Sequence, residues 1–193
     1  MNLKNPADRW GGVSQLLHWS IALLILTIGV VGLVMGELPR TPKYFWVYTA
    51  HKSLGITVLA LVLLRIGWRL YAGAPRPLPG IPRWQAWLAS ATHGALYLLI
   101  LAMPLSGWLY DSASGLRPFR WFGLGEVPRL AAPDEILASA AHDAHEWLFW
   151  LLVALVLAHA GAALHHHFIQ RDATLARMLP RRLRAAPPRE DSP

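Results

Sequence analysis

His145 and His159 stand fourteen positions apart in the stretch Ala141 to Phe168, AHDAHEWLFWLLVALVLAHAGAALHHHF. From Trp147 to Ala158 the run is apolar and uncharged, the pattern of a membrane-buried helix. At about 100° per residue the two imidazoles fall within roughly 40° of one another, on one face. At about 1.5 Å rise per residue they lie about 21 Å apart along the axis. An ionisable side chain inside a bilayer is costly and marks a functional site. Imidazoles on one face at two depths suggest two stacked cofactors.

The elements that must position these groups are apolar too. The chain of 193 residues is 54% hydrophobic, with ten Trp and a mean hydropathy of +0.34. These values are high for a soluble protein, and with four apolar runs along the chain they predict an all-α, integral membrane four-helix bundle forming one domain over residues 1–193. The spans are expected at about 15–36, 44–70, 84–110 and 141–168. Between them lie a Pro-containing connection (Glu37 to Pro42), a Pro/Gly-rich loop (Gly73 to Pro82) and a long mixed-charge loop (Asp111 to Ala140). A short surface helix is expected near Asp134 to Ala140, and Pro104 should kink the third span. Residues 171–193 read as a basic, Pro-containing tail, partly disordered. The first apolar run leads into further spans without a small-x-small cleavage site and polar mature domain, so it reads as a retained helix.

Four spans put both termini on one side. The N-tail, the flanks of the second-to-third loop (Arg65, Arg69, Arg76, Arg83) and the C-tail hold twelve Lys/Arg, against six elsewhere. The positive-inside rule then places both termini in the cytoplasm. The net charge of +7 is read as membrane-orienting. Nucleic-acid binding is disfavoured, because no basic amphipathic face is present.

This topology matches the histidines by depth. His51, early in the second span, falls level with His145 near the outer face. His18, early in the first, falls level with His159 near the inner face. Two imidazoles facing each other across a bundle core are the ligand set of a six-coordinate b-type haem, which passes electrons and leaves no open iron position. The absence of cysteine excludes disulfides, iron–sulfur clusters and covalent c-type haem attachment. A proton relay or zinc transporter would want mid-membrane carboxylates, and the spans hold none there. Asp143 and Glu146 sit only at the entrance of the fourth span. His93, in the inner half of the third span, is an alternative to His18 or His159 as ligand, and otherwise a hydrogen-bond partner for a propionate or quinone. Lys52 follows His51 and is read either as a propionate or anionic-donor contact or as a snorkelling lysine.

The chain resembles the bacterial cytochrome b561 family, four-helix dihaem membrane proteins. The resemblance rests on LLHWSIALLI around His18, YTAHKSLGI around His51, THGALYLLILAMPLSGW from His93, AHEWLFWLLVALVLAH from His145 to His159, and HHHFIQRDATLARMLP after it. It implies that His18, His51, His145 and His159 are the axial ligands of two haems b, and that electrons are exchanged with the quinone pool. One branch of the family couples superoxide oxidation to ubiquinone reduction, and there the histidine corresponding to His166 is linked to the quinone site. Other branches serve as b-type subunits for dehydrogenases or periplasmic redox partners. His166 and Arg171 are therefore candidate quinone contacts near the inner face. The outward loops mix Arg117, Arg120 and Arg129 with Asp111, Glu126, Asp134 and Glu135, so no strongly positive funnel for an anion is evident. Two function classes follow: a superoxide- or donor-to-quinone oxidoreductase, and a non-catalytic cytochrome b electron-carrier subunit.

Overall fold

Leucine, valine, isoleucine and alanine runs too long for a soluble core coil into four helices in the computed structural model, which describes residues 4–39, 41–116 and 118–180. They are α1 (Gly12–Glu37), α2 (Phe45–Ala72), α3 (Arg83–Ala113) and α4 (Glu135–His165). Each is long and apolar enough to cross a membrane. Their apolar side chains largely face outward: Leu23, Leu64, Leu98, Trp147 and Leu157 are each more than half exposed. A water-soluble bundle would bury such a belt, whereas lipid solvates it.

The helices run up and down, with close approach of α1 to α2, α2 to α3 and, most extensively, α3 to α4. The segments 4–11 before α1 and 166–180 after α4 and the α2–α3 loop therefore gather at one end of the bundle. The α1–α2 and α3–α4 connections gather at the other. The packed centre is Ile21 of α1, Val58 and Val62 of α2, Leu99 and Ile100 of α3 and Leu152 of α4. Leu152 lies seven residues from both His145 and His159, so this apolar plug separates two histidine levels.

Three boundaries differ from expectation. The surface helix expected at Asp134 to Ala140 is not separate, because α4 begins at Glu135 and runs on without a break. Asp134 caps it, accepting a hydrogen bond from Leu137 N at 2.8 Å, and Glu135 suits the positive end of the helix dipole. The long loop also contains a short antiparallel hairpin, β1 (Arg120–Trp121) with β2 (Gly125–Glu126). It is docked on α2, where Phe122 N donates to the fully buried Ser53 Oγ and Trp121 Nε1 donates to Thr57 Oγ1. At the other end, residues 171–180 fold back rather than trailing away. Arg177 donates to the carbonyls of Ala7, Asp8 and Arg76, and Trp19 Nε1 donates to Met178 O. Residues 181–193, the rest of the expected tail, lie outside the described residues, as does Arg117 of the long loop. Pro104 sits within α3, which continues through it.

Candidate functional site

Helix rise and the up-down connections bring the histidines together in two groups. At the loop end, His51 of α2 faces His145 of α4, with ring centroids 6.2 Å apart and planes at 76°. At the terminus end, His18 of α1 faces His159 of α4 at 6.3 Å and 88°. Two imidazoles bound to opposite sides of one metal through bonds of about 2.0 Å hold their centroids about 6.3 Å apart. Both pairs have this spacing. Both also span the less closely packed faces of the bundle, since the main backbone contact of α4 is with α3.

The loop-end pair is held by its surroundings. His145 Nδ1 lies 3.0 Å from Met103 O and 3.0 Å from Ser106 Oγ. A carbonyl only accepts, so Nδ1 carries the proton and Nε2 keeps a free lone pair. That is the arrangement a metal-bound histidine requires, with the other ring nitrogen donating to a backbone carbonyl. Each ring also rests on a glycine of the neighbouring helix. A Cβ on Gly107 would meet His145 Cε1 at 3.0 Å, and one on Gly32 would meet His51 Cε1 at 3.0 Å. Any side chain at either place would push the imidazole from its seat. Among the described residues His51 Nδ1 is buried and makes no hydrogen bond of good geometry.

Lys52, beside this pair, is ion-paired to Asp111 at 2.6 Å and lies 5.3 Å from the centre of the Phe119 ring. Its charge is therefore already met by a carboxylate of α3. Lys52 also lines a cavity of about 630 Å³ with Thr49, Phe119, Arg120 and Glu126. The lining carries both signs of charge.

The terminus-end group is built differently. A third imidazole, His93 of α3, lies 5.3 Å from His159, centroid to centroid. That is too close for an intervening metal, whereas the spacing of His18 suits one. Among the described residues no glycine is found against His18 or His159 as Gly107 is against His145. The group instead has a cation: Arg65 of α2 lies within electrostatic reach of His18, His93 and His159.

His166 and Arg171 lie past the end of α4, in and after a single π-turn (His166–Gln170). His166 Nδ1 is hydrogen-bonded to Asp172 Oδ2, and Arg171 is an exposed residue with left-handed backbone, φ 53°. Partial burial works to raise the Asp172 carboxyl. Hydrogen bonds from Thr174 and His166 outweigh it and hold the group below its ordinary value of 3.8.

Gly107, Ser106 and Met103 are not singled out by the sequence, and Asp111, expected in the outward loop, lies instead in α3 and pairs with Lys52. Ser106 and Gly107 do share the PLSGW stretch with Pro104, a cluster of small residues inside an apolar helix, which is the signal that could have drawn attention to them.

Comparison with known proteins adds an independent line. The family model described as "Prokaryotic cytochrome b561" matches residues 9–181. "Cytochrome b561 homolog 2" of Escherichia coli (strain K12) is 37% identical over 184 residues, covering 93% of this chain and 95% of the relative. "Cytochrome b561 homolog 1" of the same organism is 34% identical over 178 residues, covering 91% and 99%. A Yersinia pestis protein named "Probable superoxide oxidase CybB" is 30% identical over 169 residues, covering 86% and 93%.

Proposed function

The chain belongs to the prokaryotic cytochrome b561 family, a multi-pass membrane family of b-type electron-transfer cytochromes, and on that premise we propose that it carries two haems b, one at each histidine pair. The observation that supports this reading is the matched spacing of His51 with His145 and of His18 with His159. Bound there, the haems supply one-electron exchange. The protein's own residues do the rest. Met103 O and Ser106 Oγ fix the His145 tautomer, and Gly32 and Gly107 leave the rings room to seat. Ile21, Val62, Leu99 and Leu152 keep water from the space between the two levels.

In this reading the protein sits in the bacterial inner membrane with both termini in the cytoplasm. Electrons pass between a donor at the periplasmic loop end and the quinone pool at the terminus end, where His166 and Arg171 contact quinone. The relative named as a superoxide oxidase supports an enzymatic role with superoxide as donor. The neutralisation of Lys52 by Asp111 favours the other reading, an electron-carrier subunit served by a periplasmic redox protein. Stopped-flow mixing of the purified protein with superoxide separates them. Haem reduction followed by quinone-dependent reoxidation establishes the enzyme, and inertness to superoxide with reduction by a partner protein establishes the carrier. A pyridine haemochrome assay giving one haem per chain would overturn the dihaem reading. Digestion of the termini by external protease in intact cells would overturn the orientation.

A further inference from the structure

Buried cations in membrane helices are paired, because an isolated charge in a low-dielectric interior is costly. Among the described residues the ion pairs are Lys52–Asp111, His142–Asp143 and His166–Asp172, and Arg65 is in none of them. Arg65 Nε donates to Tyr97 Oη at 3.0 Å, and the guanidinium lies 5.8 Å from the centre of the Tyr97 ring. Tyr97 thus fixes the plane of the group. Arg65 Nη1 is buried and, among the described residues, has no hydrogen-bond partner. Arg69, one turn on, is spent differently, stacked on Trp10 and Tyr97 at 5.4 and 5.9 Å.

The orphan donor belongs to a half-buried cation oriented by Tyr97, which lies one helical turn after His93 on α3, and it is within electrostatic reach of His18, His93 and His159. Its complement is an anionic oxygen acceptor that arrives with whatever fills this end of the bundle. A guanidinium edge suits a carboxylate. A lipid phosphate fits poorly, because the nitrogen is inaccessible from the bundle surface. A quinone oxygen fits poorly too, because it is neutral and leaves the charge uncompensated. We propose that Arg65 Nη1 binds a propionate carboxylate of the haem seated between His18 and His159, and so anchors that haem and sets its potential. The proposal rests on the dihaem reading above.

The charge argument gives the sign. A cation beside the ring favours the ferrous form, which carries one positive charge fewer than the ferric. Arg65→Gln therefore lowers the potential of the terminus-end haem and leaves the loop-end haem unchanged. Arg65→Lys, which keeps the charge but not the planar fork, gives a smaller shift. Because a nearby charge could act without contact, the deciding readout is vibrational. Redox-difference infrared spectra of the holoprotein, with 13C-labelled haem propionates, report the carboxylate directly. A propionate band that moves in Arg65→Gln and moves partly back in Arg65→Lys supports the contact. A lowered potential with the propionate bands unmoved overturns it, as does an unchanged potential. If Arg65→Gln fails to assemble, the same band compared between Arg65→Lys and the unmodified protein decides, with an unmoved band again overturning the contact. Failure of the underlying reading looks different: His18→Ala would then keep two haems, and no contact with a haem at that place could stand.

Discussion

The two histidine pairs have nearly the same ring spacing and almost nothing else in common. The loop-end pair is constrained by contact. Glycines press on both rings, a carbonyl and a hydroxyl hold one of them, and a salt bridge stands beside it with its charges already balanced. The terminus-end pair lacks the glycine seats and has instead a third imidazole and an unmatched half-buried cation. A site constrained by contact tolerates little change in shape. A site built around a free charge tolerates shape change better and responds to changes in electrostatics. In the dihaem reading, the same ligand chemistry would thus sit at two depths with separately adjustable properties.

The largest effect expected from breaking this arrangement is loss of a whole haem. His145→Ala and His51→Ala should each reduce the pyridine haemochrome count from two to one and remove the same spectral component. His18→Ala and His159→Ala should remove the other. His93→Ala should keep both, since its ring is too near His159 to share a metal with it. Loss of a haem in His93→Ala with retention in His18→Ala would reassign the terminus-end pair.

Next is shape. Gly107→Val should displace the His145 ring, at an overpacking cost of about 1–3 kcal/mol. It should deplete the loop-end haem while leaving the other at full occupancy. Equal depletion of both would show that the seat is not local.

Smaller still is the effect of Ser106→Ala. Met103 O still holds the Nδ1 proton, so the loss is expected at the low end of the usual effect of a ligand's hydrogen-bond partner, about tenfold in haem affinity. Haem-transfer kinetics to apomyoglobin measure it, with the terminus-end haem as the internal control.

The smallest effect is in the segment after α4. The Asp172 value in the folded protein lies below the ordinary 3.8. Its contribution is therefore complete above that pH and is lost as the pH falls through the lowered value. The pair is partly exposed, so its worth is at most about 1 kcal/mol. Hydrogen exchange should show the amide of Thr174, bonded to Asp172 Oδ1, losing protection under strong acid and in Asp172→Asn at neutral pH. Protection unchanged in Asp172→Asn would remove the carboxylate from the account of how this segment docks.

Much of this fold is legible before any coordinates. An 18-residue apolar window can only be a span, and the observed helices extend the expected ones by a few residues at most ends. The largest discrepancy is the start of α4, six residues early. The polar, mixed-charge loop Asp111 to Ala140 suggests a separate surface helix near Asp134 to Ala140, yet a polar lead-in does not break a helix and Asp134 supplies a cap. The hairpin at Arg120 to Glu126 was invisible, because its strands are two residues long and are held by Ser53 and Thr57 of a distant helix.

For the histidines, the chain alone determined more than is usual. The rise and turn of an α-helix are local properties, so the fourteen-position spacing of His145 and His159 sets their separation and common face wherever α4 goes. Span order then set which histidines share a depth. Tertiary packing decided everything that depends on distances between helices. It made His18 rather than His93 stand at metal-sharing distance from His159, and made Gly32 and Gly107 the seats of two rings. It also matched Lys52 with Asp111, fifty-nine residues away, and left Arg65 Nη1 without a partner. Helical periodicity fixes the face a side chain occupies, but the neighbour it meets depends on how closely and at what rotation two helices pack, which no local pattern encodes.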